Sequence, residues 1–146
     1  RLYNPLLGAL RPEKNVQDHH VLRIAICEAL RNFSDLDGSN QLIGPLGREM
    51  MDSDEHEDVR TAAARTLADF HKDKSAAVEA LISALNKELD RGPNSDNISI
   101  TSVICVSLGA LRDKRAMVPL MKVVKSSFPN QTKRNAKTAL DSLHWK

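Results

Sequence analysis

Aromatic side chains are nearly missing from this chain: they make up 3% of its 146 residues, as one tryptophan, one tyrosine and three phenylalanines. A core so poor in rings must be filled by alanine, leucine and valine, which favours closely packed helices over a β-sandwich. The same scarcity excludes the aromatic platforms on which single-stranded nucleic acids stack. There are only two cysteines, Cys27 and Cys105. They sit in apolar stretches, with no cysteine or histidine neighbour at metal-ligand spacing. That excludes a disulfide framework and a paired-cysteine metal site, and reads as two reduced, small apolar residues. No apolar run approaches the ~18 residues of a membrane-spanning helix, and the N-terminus lacks the charged and apolar regions of a signal peptide. A soluble, cytoplasmic protein is the expectation.

Chemistry is missing as well. The sequence has no glycine-rich phosphate loop and no serine or cysteine nucleophile in a recognisable elbow. The metal-like clusters are His19-His20 and the segment DEHED, residues 54–58. Adjacent histidines do not both reach one ion easily, and carboxylates ahead of a helix already serve its N-terminus. The reading is a protein with no catalytic residue, no cofactor and no metal.

What the chain does contain is a globular balance of 41% hydrophobic and 27% charged residues, in a length that suits one domain with a substantial core. The stretch DEHEDVRTAAARTLADF, residues 54–70, is the most legible part. Val59, Ala62, Ala63, Thr66, Leu67 and Phe70 recur at spacings of three and four, which predicts one apolar helical face. Asp54, Glu55, Glu57 and Asp58 crowd the expected helix N-terminus, where the macrodipole favours negative charge.

This stretch recurs. Upstream, LRIAICEALRNF aligns Arg23 with Arg60, Ala25 with Ala62, Leu30 with Leu67 and Phe33 with Phe70, all at one offset. Downstream, Leu108 and Leu111, then Leu140 and Leu143, fall in the Leu67 and Phe70 columns. Each copy follows a second recurring segment that aligns Pro5, Pro45, Ala80 and Pro119, with Leu6, Leu46, Leu81 and Leu120 next to them. Proline suits the first turn of a helix, where its missing N–H has no partner to lose. The unit is therefore a first helix, a turn and a second helix, repeated about every 40 residues.

With its proline-leucine first helix and its Asp58-Val59-Arg60, Ala63, Leu67, Asp73 second helix, the unit resembles the HEAT repeats, especially the short HEAT-like units of bacterial proteins and phycobilisome-lyase relatives. The arginine column departs from the pattern in the later units, with Thr101 in the third and Lys133 in the fourth. The resemblance implies an all-α fold, a right-handed α-solenoid of about four units at 1–36, 37–74, 75–114 and 115–146. Stacking follows physically, because one helical pair cannot bury its apolar stripe alone. The segment KELDRGPNSDN, residues 87–97, is read as an insertion lengthening the third unit's inter-helix loop. The chain opens at Arg1, already inside a helical pattern, as expected of a piece of a longer protein.

Two enzymatic branches of the resemblance find little support in the residues. Deoxyhypusine hydroxylase places histidine-glutamate pairs in its second helices to hold iron, whereas His56-Glu57 occurs once, ahead of the helix. The phycobilin-lyase likeness is general to the repeat and identifies no catalytic group, so an accessory role of that kind is carried only as an alternative.

The function expected is a protein-binding scaffold, with a partner lying on the concave surface of the second helices. In register, the outward positions are Ile24, Glu28 and Arg31, then Thr61, Arg65 and Asp69, then Ser102, Val106 and Ala110, and last Arg134, Lys137 and Asp141. Glu28, Arg31, Arg65, Asp69, Val106, Arg134 and Lys137 are the candidate partner-binding residues. The formal charge is only +2, but the last unit sets Lys114, Arg115, Lys122, Lys125, Lys133, Arg134, Lys137 and Lys146 against the single acid Asp141. Phosphate-backbone binding by nucleic acid is the alternative that this basic end suggests. Trp145 is read as a core or capping residue, and exposed solenoid ends as a route to self-association.

Overall fold

The computed structural model describes residues 4–9 and 19–143, and all of its regular structure is helical. Trp145, Lys146 and the side chains of Leu6 and His19 lie outside the described residues. The α-helices in chain order are α1 (Asn4–Ala9), α2 (His19–Leu30), α3 (Ile43–Met51), α4 (Glu57–Leu67), α5 (Lys74–Arg91), α6 (Ile98–Leu111), α7 (Met117–Val124) and α8 (Asn130–Leu143). Short 3-10 turns lead into α3 and α7 and follow α2.

The apolar columns read from the sequence decide how these helices pack. Val59, Ala62, Ala63, Thr66, Leu67 and Phe70 are all buried, as are Leu108, Leu111, Leu140 and Leu143 in the second helices and Leu46, Leu81 and Leu120 in the first. Helices pair in sequence, α1 with α2, α3 with α4, α5 with α6 and α7 with α8. The pairs then stack: α2 on α4, α4 on α6 and α6 on α8 make one layer, and α3 on α5 and α5 on α7 make the other. A single continuous core lies between the two layers. The first unit is the exception. Its Leu22 and Ala25, in the columns of Val59 and Ala62, are exposed, because among the described residues α2 has a second-layer neighbour on one side only.

Polar rungs fix the register of the second layer. The Thr66 hydroxyl donates to the Cys27 carbonyl at 2.9 Å, and the Ser107 hydroxyl donates to the Ala64 carbonyl at 2.9 Å. Thr66 and Ser107 share a column, as do Cys27 and Ala64, so the same bond is made at two successive junctions. Ala139 occupies the donor column in α8, and there the helices approach more closely. A Cβ built on Gly109 would lie 2.9 Å from the Ala139 Cα, so only glycine fits that point of α6.

The segment at 87–97 corrects an expectation. Lys87–Arg91 is not loop but the end of α5, which runs for 18 residues and stops at Gly92, where φ is 75°. The insertion therefore lengthens the helix, and the connection shrinks to residues 92–97. Asn97 holds this connection by donating to the Gly92 carbonyl at 2.8 Å and accepting from the Asn94 N–H at 2.9 Å.

The two cysteines are free and buried. Burial pushes both thiols up to about 12. Since the thiolate is the reactive form, neither should react with a thiol reagent at neutral pH while the chain is folded. Titration with a chromogenic disulfide reagent should count two thiols in denaturant and none before unfolding. Fast labelling of the native protein would contradict this burial.

Candidate interaction surface

The arginine column of the second helices lies inside the stack. Arg23, on α2, pairs with Glu55 through Nε at 2.7 Å and Nη2 at 2.8 Å, and both side chains are almost completely buried. Arg60, on α4, reaches Glu88 near the end of α5 at 2.9 Å and donates from Nε to the Met50 carbonyl at 2.8 Å. Lys87 donates to the adjacent Met51 carbonyl at 2.6 Å. The last carbonyls of α3, left without helical partners, are thus taken by cations from α4 and α5. Glu88 is completed by Arg91 at 2.9 Å and by the Asn97 carboxamide at 3.2 Å. Each arginine ties its own unit to the next. The column ends there, since Thr101 is buried without a hydrogen-bond partner for its hydroxyl and Lys133 is half-buried.

The acidic turn before α4 therefore works differently from its sequence reading. Glu55 is a buried ion-pair partner and not a solvent-facing charge, because Arg23 of the preceding unit draws it inward. The helix cap is His56, whose Nδ1 accepts from the Asp58 N–H at 3.1 Å, and its ring stacks on His20 with centroids 4.2 Å apart. Burial works to raise the Glu55 pKa, but hydrogen bonds with Arg23, Glu49 and the His56 N–H prevail and hold it at about 2, below its ordinary 4.5. A depressed carboxylate contributes stability above its unfolded pKa and loses it as pH falls toward the folded value. Unfolding free energy should thus decline between about pH 4.5 and 2, and Glu55→Gln should flatten that decline in urea titrations at stepped pH. An unchanged acid limb in the variant would exclude the assignment.

The candidate partner-binding residues sit on the second layer. Glu28, Arg31, Arg65, Arg134 and Lys137 are exposed, and Val106 is 56% exposed. Arg31 and Asp69 are brought together as an ion pair joining the ends of the first two second-layer helices. Thr61 differs from its expected outward place: it is buried, with its hydroxyl donating to the Asp58 carbonyl at 3.1 Å, because the α4–α6 contact closes over it. Of the seven candidates, Arg65 and Val106 line hollows of the second layer.

Three hollows stand out among the described residues. One, of about 650 Å³, lies between α3 and α5 in the first layer, lined by Ile43, Gly47, Met51 and Ala80 among others. The other two lie along the second layer. A hollow of about 350 Å³ spans α4, α6 and α8 and includes Arg65, Ser99, Ser102 and Gln131. Another, of about 290 Å³, continues along α6 and α8 past Val106, Ala110 and Thr138 to Arg112. Asn135 lines both. The sequence reading missed the polar stripe Gln131, Asn135, Thr138 and Ser142, whose spacing of three and four on one face of α8 was the available signal. Among the described residues, no group of three or more His, Cys, Asp or Glu is placed to hold a metal ion, and no helix is long and apolar enough to cross a membrane.

No curated protein matches the chain. Residues 59–87, which run from the buried stripe of α4 through most of α5, match the family model described as the PBS lyase HEAT-like repeat. The α4–α5 stretch of this helical stack is therefore HEAT-like.

Proposed function

We propose that this chain is a non-catalytic scaffold, a right-handed solenoid of four HEAT-like units whose concave second-helix surface holds a protein partner. The observation that carries this reading is the exposed Val106, an apolar centre among polar side chains that the fold itself leaves uncommitted. Solenoids of this kind present extended second-helix surfaces, and an aliphatic centre with a polar rim is the ordinary composition of a protein-binding patch. Two free thiols kept out of solvent suit a reducing, cytoplasmic setting.

Affinity capture from the native lysate, with and without nuclease and at low and moderate salt, tests the proposal. The expected result is a protein retained after nuclease and moderate salt, and released by the double variant Arg31→Glu, Arg65→Glu at unchanged melting temperature. Retention that collapses with nuclease would replace this reading with phosphate-backbone binding, whose affinity falls steeply with salt.

A further inference from the structure

The two second-layer hollows meet end to end along the seam between α6 and α8. The seam floor is formed where Gly109 and Ala139 bring the helices together, and its walls carry hydroxyls and amides on either side of Val106. At the junction stands Asn135. Its Oδ1 accepts from Gln131 Nε2 at 3.0 Å, and Gln131 is itself held by Arg134 at 3.1 Å. That chain of bonds orients the carboxamide and leaves its two Nδ2 hydrogens available.

The charges around the seam are also uncommitted. Arg65 and Arg112, which line the hollows, make no ion pair among the described residues, whereas Arg23, Arg31, Arg60, Arg91 and Arg115 each bond a carboxylate. Asp58 is the acid in the lining of the two hollows, so cations prevail there. Arg112 further adopts a left-handed backbone, φ 53°, at the end of α6, a position that glycine fills at no steric cost.

We propose that the α6–α8 seam binds an extended, acidic polypeptide segment, with Asn135 donating to a backbone carbonyl, an aliphatic side chain seated on Val106, and carboxylates reaching Arg65 and Arg112. The proposal rests on the protein-binding reading above and adds the class of partner. Hollows of this size receive an extended chain one residue at a time, whereas a helix, ~10 Å across, stands outside them. An extended chain also carries the free carbonyls that Asn135 can meet. A polypeptide is favoured over nucleic acid because no aromatic ring lines either hollow for a base to stack on and Val106 offers an aliphatic contact.

A library of random dodecapeptides displayed on phage, panned against the whole protein, provides the probe. Enrichment of Asp- and Glu-rich sequences carrying one aliphatic residue is expected. The enriched peptides, labelled with fluorescein, should bind Asn135→Ala and Arg65→Glu at least tenfold more weakly, with Val106→Asp as an independent check, all at unchanged melting temperature. Enriched peptides without an acidic bias, or affinities unmoved by these substitutions, would overturn the proposal. So would a single-stranded oligonucleotide that displaces the peptides at lower concentration than unlabelled peptide does. Peptides that bind through Arg31 instead would remove the seam assignment and leave the scaffold reading standing. That wider reading fails separately, on the lysate capture.

Discussion

Arg60→Ala is expected to lower the unfolding free energy by about 3–5 kcal/mol, the cost typical of removing one member of a buried ion pair. The guanidinium is 1% exposed and its partner Glu88 is fully buried, so truncation strands a carboxylate that solvent does not reach. It also frees the Met50 carbonyl at the end of α3. Arg91 and Asn97 remain on Glu88 and soften the loss, which places the value toward the lower end of that range. Lysine should rescue little, because its single ammonium does not reproduce the divergent Nε and Nη2 bonds. By contrast, Arg60→Met combined with Glu88→Leu should recover part of the stability, since the buried pair is then removed together, while the Met50 carbonyl, Arg91 and Asn97 each lose a partner. Urea unfolding followed by circular dichroism measures all three. A loss below about 1 kcal/mol in Arg60→Ala would show that the pair contributes little to holding α4 and α5 together.

Gly109→Val should cost about 2–3 kcal/mol through overpacking, and its character should differ from the first variant's. The atom that its Cβ meets is the Ala139 Cα at 2.9 Å, backbone that does not rotate aside, so α8 has to move as a body. Ala139→Gly in the same chain should recover only part of the loss, because it removes the Ala139 methyl and leaves the backbone atom behind it in place. Limited proteolysis distinguishes the two variants. Cleavage after Gly109→Val should begin in the connection ahead of α8, near residues 125–129, while the earlier units stay protected. Uniform loss of protection along the chain would mean that the α6–α8 contact is not local.

These effects follow from features that the sequence displays unevenly. The apolar stripe of the second unit is legible, because from Val59 to Phe70 it is a regular helical pattern covered by helices on both sides. The first unit misled at Leu22 and Ala25, whose spacing is identical but whose neighbour on one side is missing, and exposure depends on neighbours that spacing does not encode. Glu55 was read as one more acid in an acidic turn. Its burial is set by Arg23, 32 residues earlier, a pairing that appears only when two units stack. Residues 87–91 were read as loop because Gly92-Pro93 follows them, yet the breaker ends the helix only at its own position, and Glu88 sits inside for Arg60 to reach. Of the candidate surface, exposed positions such as Arg65, Val106 and Lys137 were found from register alone. The seam was not, because its depth comes from Gly109 and Ala139, two small residues whose meaning depends on the distance between helices.

The alternation of rungs along the second layer has a mechanical consequence. The joints from the first unit to the second and from the second to the third each carry both a hydroxyl bond and a buried charge pair, and resist sliding and twisting alike. The joint from α6 to α8 has one pin, Ser102 against Thr132 at 2.8 Å, near the leading ends of the two helices, and beyond it a smooth contact of glycine on alanine. A lever fixed near one end swivels there. The last helical pair should behave as a compliant arm on a stiff body, and its swing would open or narrow the Arg112 end while the Ser102 end stays still. Under tension applied along the chain, this joint should yield first.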